Sequence, residues 1–163
     1  MLEVLISMVI IAFGLLGVAG LQAFALKNNQ SANYRSIATM LASDISDRMR
    51  ANYYGSGFDF MYNQSSIGSY NTPVAACGST GCTSSELAQN DLYEWQQRIK
   101  TALPAGAGIV CVDRTPHDGT SATDPQCDNA GITNYVVKIW WTDDRTRTGV
   151  VTAPQRFSTT INP

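Results

Sequence analysis

The stretch that decides the fold opens the chain: Glu3-Val4-Leu5-Ile6-Ser7-Met8-Val9-Ile10-Ile11-Ala12-Phe13-Gly14-Leu15-Leu16-Gly17-Val18-Ala19-Gly20-Leu21-Gln22-Ala23-Phe24-Ala25-Leu26-Lys27. Glu3 is the only charged side chain before Lys27, and the 23 residues from Val4 to Leu26 carry none. As a helix they would reach roughly 35 Å, enough to cross a hydrocarbon core of about 30 Å. Apolar residues occur all round this stretch, whereas a helix lying on a soluble core needs only one apolar stripe. A cleaved signal peptide is the other plain reading, and Ala23-Phe24-Ala25 resembles a small-residue cleavage site. However, no basic region precedes the apolar run, an acid sits at position 3, and the run exceeds the usual signal length. A membrane-spanning helix is therefore expected.

The helix is expected to continue beyond the span. From Lys27 to Asn52 there is no Pro or Gly, and Tyr34, Ile37, Ala38, Leu41, Ile45 and Met49 recur at helical spacing. Arg35, Asp44, Asp47, Arg48 and Arg50 fall elsewhere on the helix. One helix of about 50 residues, roughly 75 Å long, accounts for the pattern. Residues 1–26 form its transmembrane half and residues 27–52 an amphipathic half. Gly14, Gly17 and Gly20 recur every three residues, each costing about 1 kcal/mol of helix propensity against alanine. Close packing between helices in a membrane explains them, and so does a segment that bends as subunits rearrange. Both readings point to helix–helix assembly.

The rest of the 163 residues suit one globular head, residues 53–163. Hydrophobic content of 44% is ordinary for a folded domain. A net charge of -2 and a pI near 5.2 lack the basic surface of a nucleic-acid binder. Ala51 to Ala76, dense in Tyr, Asn, Gly and Ser, reads as an irregular connector. Thr83-x-x-Glu86 fits a capping box that starts a second helix. Ala88, Leu92, Trp95, Ile99 and Leu103 give that helix an apolar stripe, and Pro104 with Gly106 ends it. Three strands follow: Ile109 to Asp113, Asn134 to Trp141 and Gln155 to Ile161. In the second, Tyr135, Val137, Ile139 and Trp141 share one face and Lys138 the other. Thr142 to Gly149, with Asp143, Asp144, Arg145 and Arg147, reads as the turn that makes the last two strands antiparallel. The fold class is α+β, with the long helix covering the apolar face of a small antiparallel sheet.

Four cysteines, Cys77, Cys82, Cys111 and Cys127, all lie in the head. An even number in a membrane-tethered chain reads as two disulfides in an oxidising space. Three connectivities are possible. The local pairs Cys77–Cys82 and Cys111–Cys127 are expected, contributing roughly 2 and 3 kcal/mol on the chain-entropy account. Zinc is the alternative use, but Cys-x4-Cys with distant further cysteines and no supporting His is a poor ligand pattern. Lys27, Arg35, Arg48 and Arg50 after the span would by themselves favour a cytoplasmic head. The cysteines decide otherwise, because the basic residues of any leader are expected to lie outside the sequence as given.

No cofactor or metal motif stands out, and no Gly-rich phosphate loop appears. The sole histidine, His117, lies in the turn-like Pro116-His117-Asp118-Gly119, where the adjacent Asp cannot orient its ring. The acid-bearing loop from Asp113 to Asp128 has no recognisable calcium spacing. An enzyme is not expected. The odd residue is Glu3, since a carboxylate costs on the order of 2.5–3.5 kcal/mol at mid-bilayer and less near the interface. It either rests among headgroups or has a partner.

Met1-Leu2-Glu3-Val4-Leu5-Ile6 followed by an apolar run resembles the N-terminus of the type IV pilins and the type II secretion pseudopilins. Mature chains of that family begin with an N-methylated Phe, then a Thr or Ser, then Leu-Leu-Glu-Val. The resemblance implies that Glu3 is the family's glutamate, thought to pair with the N-terminal ammonium of a neighbouring subunit during assembly. Gly14-Leu15-Leu16-Gly17-Val18-Ala19-Gly20-Leu21-Gln22, Asn29-Gln30-Ser31-Ala32 and Ala42-Ser43-Asp44-Ile45-Ser46-Asp47-Arg48-Met49-Arg50-Ala51-Asn52 are similar to PilV-type minor pilins. Asp91-Leu92-Tyr93-Glu94-Trp95 and Leu103-Pro104-Ala105-Gly106 extend the likeness. Met1 stands where the family has Leu, and Gly20 where many major pilins have a helix-breaking Pro. The leader and first two mature residues are absent, which suggests a truncated or late start.

The resemblance implies a type IV pilin fold and a single-pass inner-membrane subunit with a periplasmic head, later displayed on the pilus. It implies a minor pilin that primes assembly at or near the tip. Its partners would be other minor and major pilins, the assembly platform and a tip adhesin-like protein, in a system serving adhesion and twitching motility. A minor pseudopilin is the nearest alternative, and a membrane-anchored periplasmic binding protein is the alternative of another class.

Overall fold

A computed structural model of the chain describes residues 2–52, 61–64, 70, 72–129, 135–143 and 153–161. Helix α1 spans Leu2–Asn52, through the apolar run and the amphipathic stretch. The chain divides into two compact units, Met1–Arg35 and Ser36–Pro163. In the first, residues 2–30 are all exposed. By length and composition α1 is able to cross a membrane.

In the second unit α1 buries Ala38, Leu41, Ala42, Ile45, Ser46, Met49 and Asn52. The 3/4 spacing of the apolar positions puts them on one side of the helix. Ser46 and Asn52 join that side because their polar atoms are satisfied: Ser46 Oγ donates to the Ala42 carbonyl at 2.7 Å, and Asn52 Nδ2 to the Ser84 carbonyl at 2.8 Å.

A single 3-10 turn, Ala75–Gly78, precedes helix α2, Ser84–Ala102. The capping box starts α2. Thr83 N–H donates to Glu86 Oε2 at 2.8 Å, and Glu86 N–H donates to Thr83 Oγ1 at 3.3 Å. Two otherwise unpaired helix-start donors are thereby satisfied. The stripe Ala88, Leu92, Trp95, Ile99 and Leu103 is almost wholly buried.

The sheet has strands β1 (Ala107–Val112), β2 (Tyr135–Trp141) and β3 (Gln155–Ile161), antiparallel in the order β1-β2-β3. β1 starts two residues before the expected Ile109 and ends one before Asp113. Val110 pairs with Val137, and Lys138 with Ser158. The 61–64 segment runs beside β1: Gln64 N–H donates to the Val110 carbonyl at 2.8 Å, and Val110 N–H to Gln64 Oε1 at 3.0 Å. The expected turn residues Asp144, Arg145 and Arg147, the strand residue Asn134, and residues 53–60, 65–69 and 71 of the connector lie outside the described residues.

Alternation in β2 suggested a strand with one apolar face, yet all seven residues are buried, Lys138 included. Both faces are covered. On the Val137 face, β1 approaches α2 so closely at Gly108 that a Cβ there would stand 2.4 Å from Ile99 Cδ1 and 2.7 Å from the Trp95 ring. On the same face, Phe157, Thr159 and Ile161 of β3 line a cleft with Ala42 and Ser46 of α1. On the Lys138 face lies the loop after β1, where Ala122 and Cys127 pack on Ile109, Cys111 and Trp140. Disulfides join Cys77 to Cys82, with Cα atoms 4.8 Å apart, and Cys111 to Cys127, with Cα atoms 6.1 Å apart.

Candidate assembly interface

In the first unit the side chains offered to a partner are apolar. Leu5, Ile6, Val9, Ile10, Phe13 and Leu16 are each more than half exposed. Water penalises such surface by about 25 cal/mol per Å², so lipid or other helices must cover it. Glu3 sits in the first turn and is exposed, where the positive end of the helix dipole favours an acid. Its backbone carbonyl accepts from Ser7 Oγ at 2.8 Å. Gly14, Gly17 and Gly20 lie within unbroken helix, and a methyl group added at any of them would meet nothing within 4 Å. Within one chain these glycines therefore leave open surface at which another backbone has room to approach.

In the second unit the amphipathic part of α1 is fastened to α2 by polar contacts. Arg48 Nη1 lies 2.8 Å from Asp91 Oδ1 and 3.0 Å from Glu94 Oε2, while its Nε lies 3.4 Å from Asp44. Arg98 reaches the same Asp44 at 3.2 Å. Tyr62 OH donates to Asp91 Oδ2 at 2.8 Å and accepts from Asn52 Nδ2 at 3.1 Å. Trp95 Nε1 donates to the Leu41 carbonyl at 2.8 Å. Burial works against the Arg48 charge, but the Glu94 and Asp91 carboxylates, with Asp44, outweigh it and push its pKa up. Burial raises the Tyr62 pKa as well; the Asn52 bond opposes this and Asp91 adds to it.

The remaining sequence-flagged groups lie elsewhere. Cys111, Asp113 and Cys127 offer ligand atoms within 4.8 Å of one another. The two sulfurs are bonded to each other, however, and Asp113 Oδ2 lies 2.5 Å from Lys138 Nζ. Asp124 accepts from Thr120 Oγ1 at 3.0 Å and from Gln126 Nε2 at 3.2 Å, and Asp128 lies 3.9 Å from Arg114. These donor atoms are engaged in protein contacts. His117 Nδ1 is 3.0 Å from Ser158 Oγ, at an exposed position.

Sequence reasoning singled out Glu3, the glycines and the cysteines, but not the Arg48 cluster. A signal was present. The runs 42–52 and 91–95, two of those quoted for the resemblance above, supply Asp44, Arg48, Asn52, Asp91, Glu94 and Trp95, all of them in this cluster. The model of the Tt1218-like family, described as type IV pilin Tt1218, matches residues 20–93. That span contains Gly20 and the Arg48, Asn52, Tyr62 and Asp91 contacts. No curated protein and no solved structure matches the chain.

Proposed function

We propose that this chain, which is a type IV pilin-like protein, is a minor pilin subunit that primes or assembles a type IV pilus and sits at or near its tip. The observation that carries the reading is the family match over residues 20–93, continuous with a helix whose residues 2–30 are all exposed and apolar enough to span a membrane. The subunit waits in the inner membrane with its disulfide-bonded head in the periplasm. An assembly platform then draws it into the filament beside other minor and major pilins, near a tip adhesin-like partner.

The chemistry is packing. Lipid tails are as apolar as leucine, so moving α1 from lipid into a filament core gains little hydrophobic energy. Close approach at Gly14, Gly17 and Gly20 supplies dispersion contacts. Glu3 pairs with the N-terminal ammonium of a neighbouring subunit, since each buried charge compensates the other better than apolar surroundings could. The runs 14–22, 42–52 and 91–95 support placement among PilV-type minor pilins.

The test is Glu3→Ala and Glu3→Gln in cells, comparing sheared filaments with membranes. Both variants should keep a folded, disulfide-bonded head while incorporation falls by roughly tenfold or more, as losing one partner of a buried ion pair costs about 3–5 kcal/mol. Undiminished incorporation would remove the pairing role. Recovery of the wild-type chain with a secretion pseudopilus, and not with pili, would move it to the pseudopilins.

A further inference from the structure

We propose that Lys138 is the resident cation of an oxygen cage formed by residues 113–125, and that this ammonium selects the conformation of the loop above the second face of the sheet. The Lys138 side chain is fully buried, a rare state for lysine. Its Nζ lies 2.5 Å from Asp113 Oδ2, 2.7 Å from Asp118 Oδ1, 2.8 Å from the Pro125 carbonyl and 3.3 Å from the Asp118 carbonyl. An ammonium has three protons to donate, and Asp118 Oδ1 with the Asp118 and Pro125 carbonyls accepts them, while Asp113 adds a second carboxylate as an ion pair. A second cation completes the set. Arg156 pairs with Trp140 across β2 and β3, on the face that also holds Lys138. Its guanidinium donates to the carbonyls of His117, Asp118 and Gly119, the Asp118 bond measuring 2.6 Å.

Hydrophobic cover over this loop is slight. Between Asp113 and Gln126 its secondary structure is an isolated bridge, Ser121 to Asp124, and Ala122 is the partly buried side chain that packs on the core. Its other ties are hydrogen bonds within the loop and exposed side-chain contacts such as His117 Nδ1 with Ser158 Oγ at 3.0 Å. The disulfide at Cys127 and the Asn129 N–H bond to the Val112 carbonyl, 3.0 Å, hold only the far end. Hydrophobic burial of that size cannot choose one path among many. Inward-turned carbonyls can, because each left without the cation would be a dehydrated acceptor with no donor. Gly119 shows how tightly the path is drawn: its φ is +86°, and a Cβ would stand 2.5 Å from the Pro125 carbonyl that Lys138 also holds. Buried ion clusters often add little net stability while specifying one arrangement. Lys138 is in that sense a positioning residue for the exposed loop surface that carries Arg114, His117, Thr120 and Thr123.

Hydrogen exchange on the full-length protein in detergent tests this with Lys138→Met and the double variant Lys138→Met/Asp113→Asn. The single variant leaves Asp113 buried without its counter-ion, and the double variant removes both charges at nearly constant volume. Amides 114–126 should exchange at least about tenfold faster in both, while the α2 amides of the double variant keep wild-type protection. Wild-type protection of 114–126 in the double variant would overturn the proposal. So would equal loss of protection in α2, or failure of the double variant to fold, because the cage would then serve the whole head and not its loop.

Discussion

Arg48 and Asp91, 43 positions apart in sequence, meet at 2.8 Å between α1 and α2. The contact lies in a partly buried setting, with one fifth of the Arg48 side chain exposed and one tenth of Asp91. Asp91 also accepts from Tyr62, which in turn accepts from Asn52 at the last residue of α1. Two helices and the 61–64 segment therefore share one polar cluster.

Arg48→Met should destabilise the head by about 2–3 kcal/mol, the range for hydrogen bonds to charged groups in a part-buried site. Urea unfolding of Arg48→Met, Asp91→Asn and the double variant measures it. The two single losses should sum to more than the double, since both remove one interaction. Strict additivity would mean the contact contributes nothing to holding α1 on α2.

Gly108→Ala should cost about 1–3 kcal/mol by overpacking, because the new methyl would collide with Ile99 and Trp95. Shortening the neighbour offers relief, so Ile99→Val in the same chain should recover part of the loss. Thermal unfolding of Gly108→Ala, Ile99→Val and the double variant tests both halves. If Gly108→Ala unfolds like wild type, β1 and α2 are not in contact there.

Most of the secondary structure was legible because its causes are local. The absence of Pro and Gly from Lys27 to Asn52 carried α1, Thr83 with Glu86 placed the start of α2, and β3 showed its alternation in full. Burial of Lys138 was not legible, since the cover over that strand face is a loop with no periodicity. The Arg48 cluster escaped for a related reason: charged residues on an amphipathic helix ordinarily face water, and nothing within residues 42–52 tells which of them meets a second helix. The family-like runs held the right residues, but only the fold put them together.

Acid should release the loop through Asp118. Burial works against its carboxylate, but the hydrogen bonds from Lys138 and Thr115 and the Lys138 charge prevail, holding its pKa below the ordinary carboxylate value. A group depressed on folding contributes stability that is present in full above its unfolded pKa and is lost as pH falls through the folded one. Lys138, Asp113, Arg156 and His117 surround the site. Asp118→Asn should therefore lower thermal stability by a constant amount from neutral pH down to the ordinary carboxylate range, with the gap to wild type closing below it. Exchange of amides 114–126 should rise over that same acid window in wild type and be elevated at every pH in the variant. A gap that stays constant into strong acid would show that the Asp118 charge contributes nothing to the folded head.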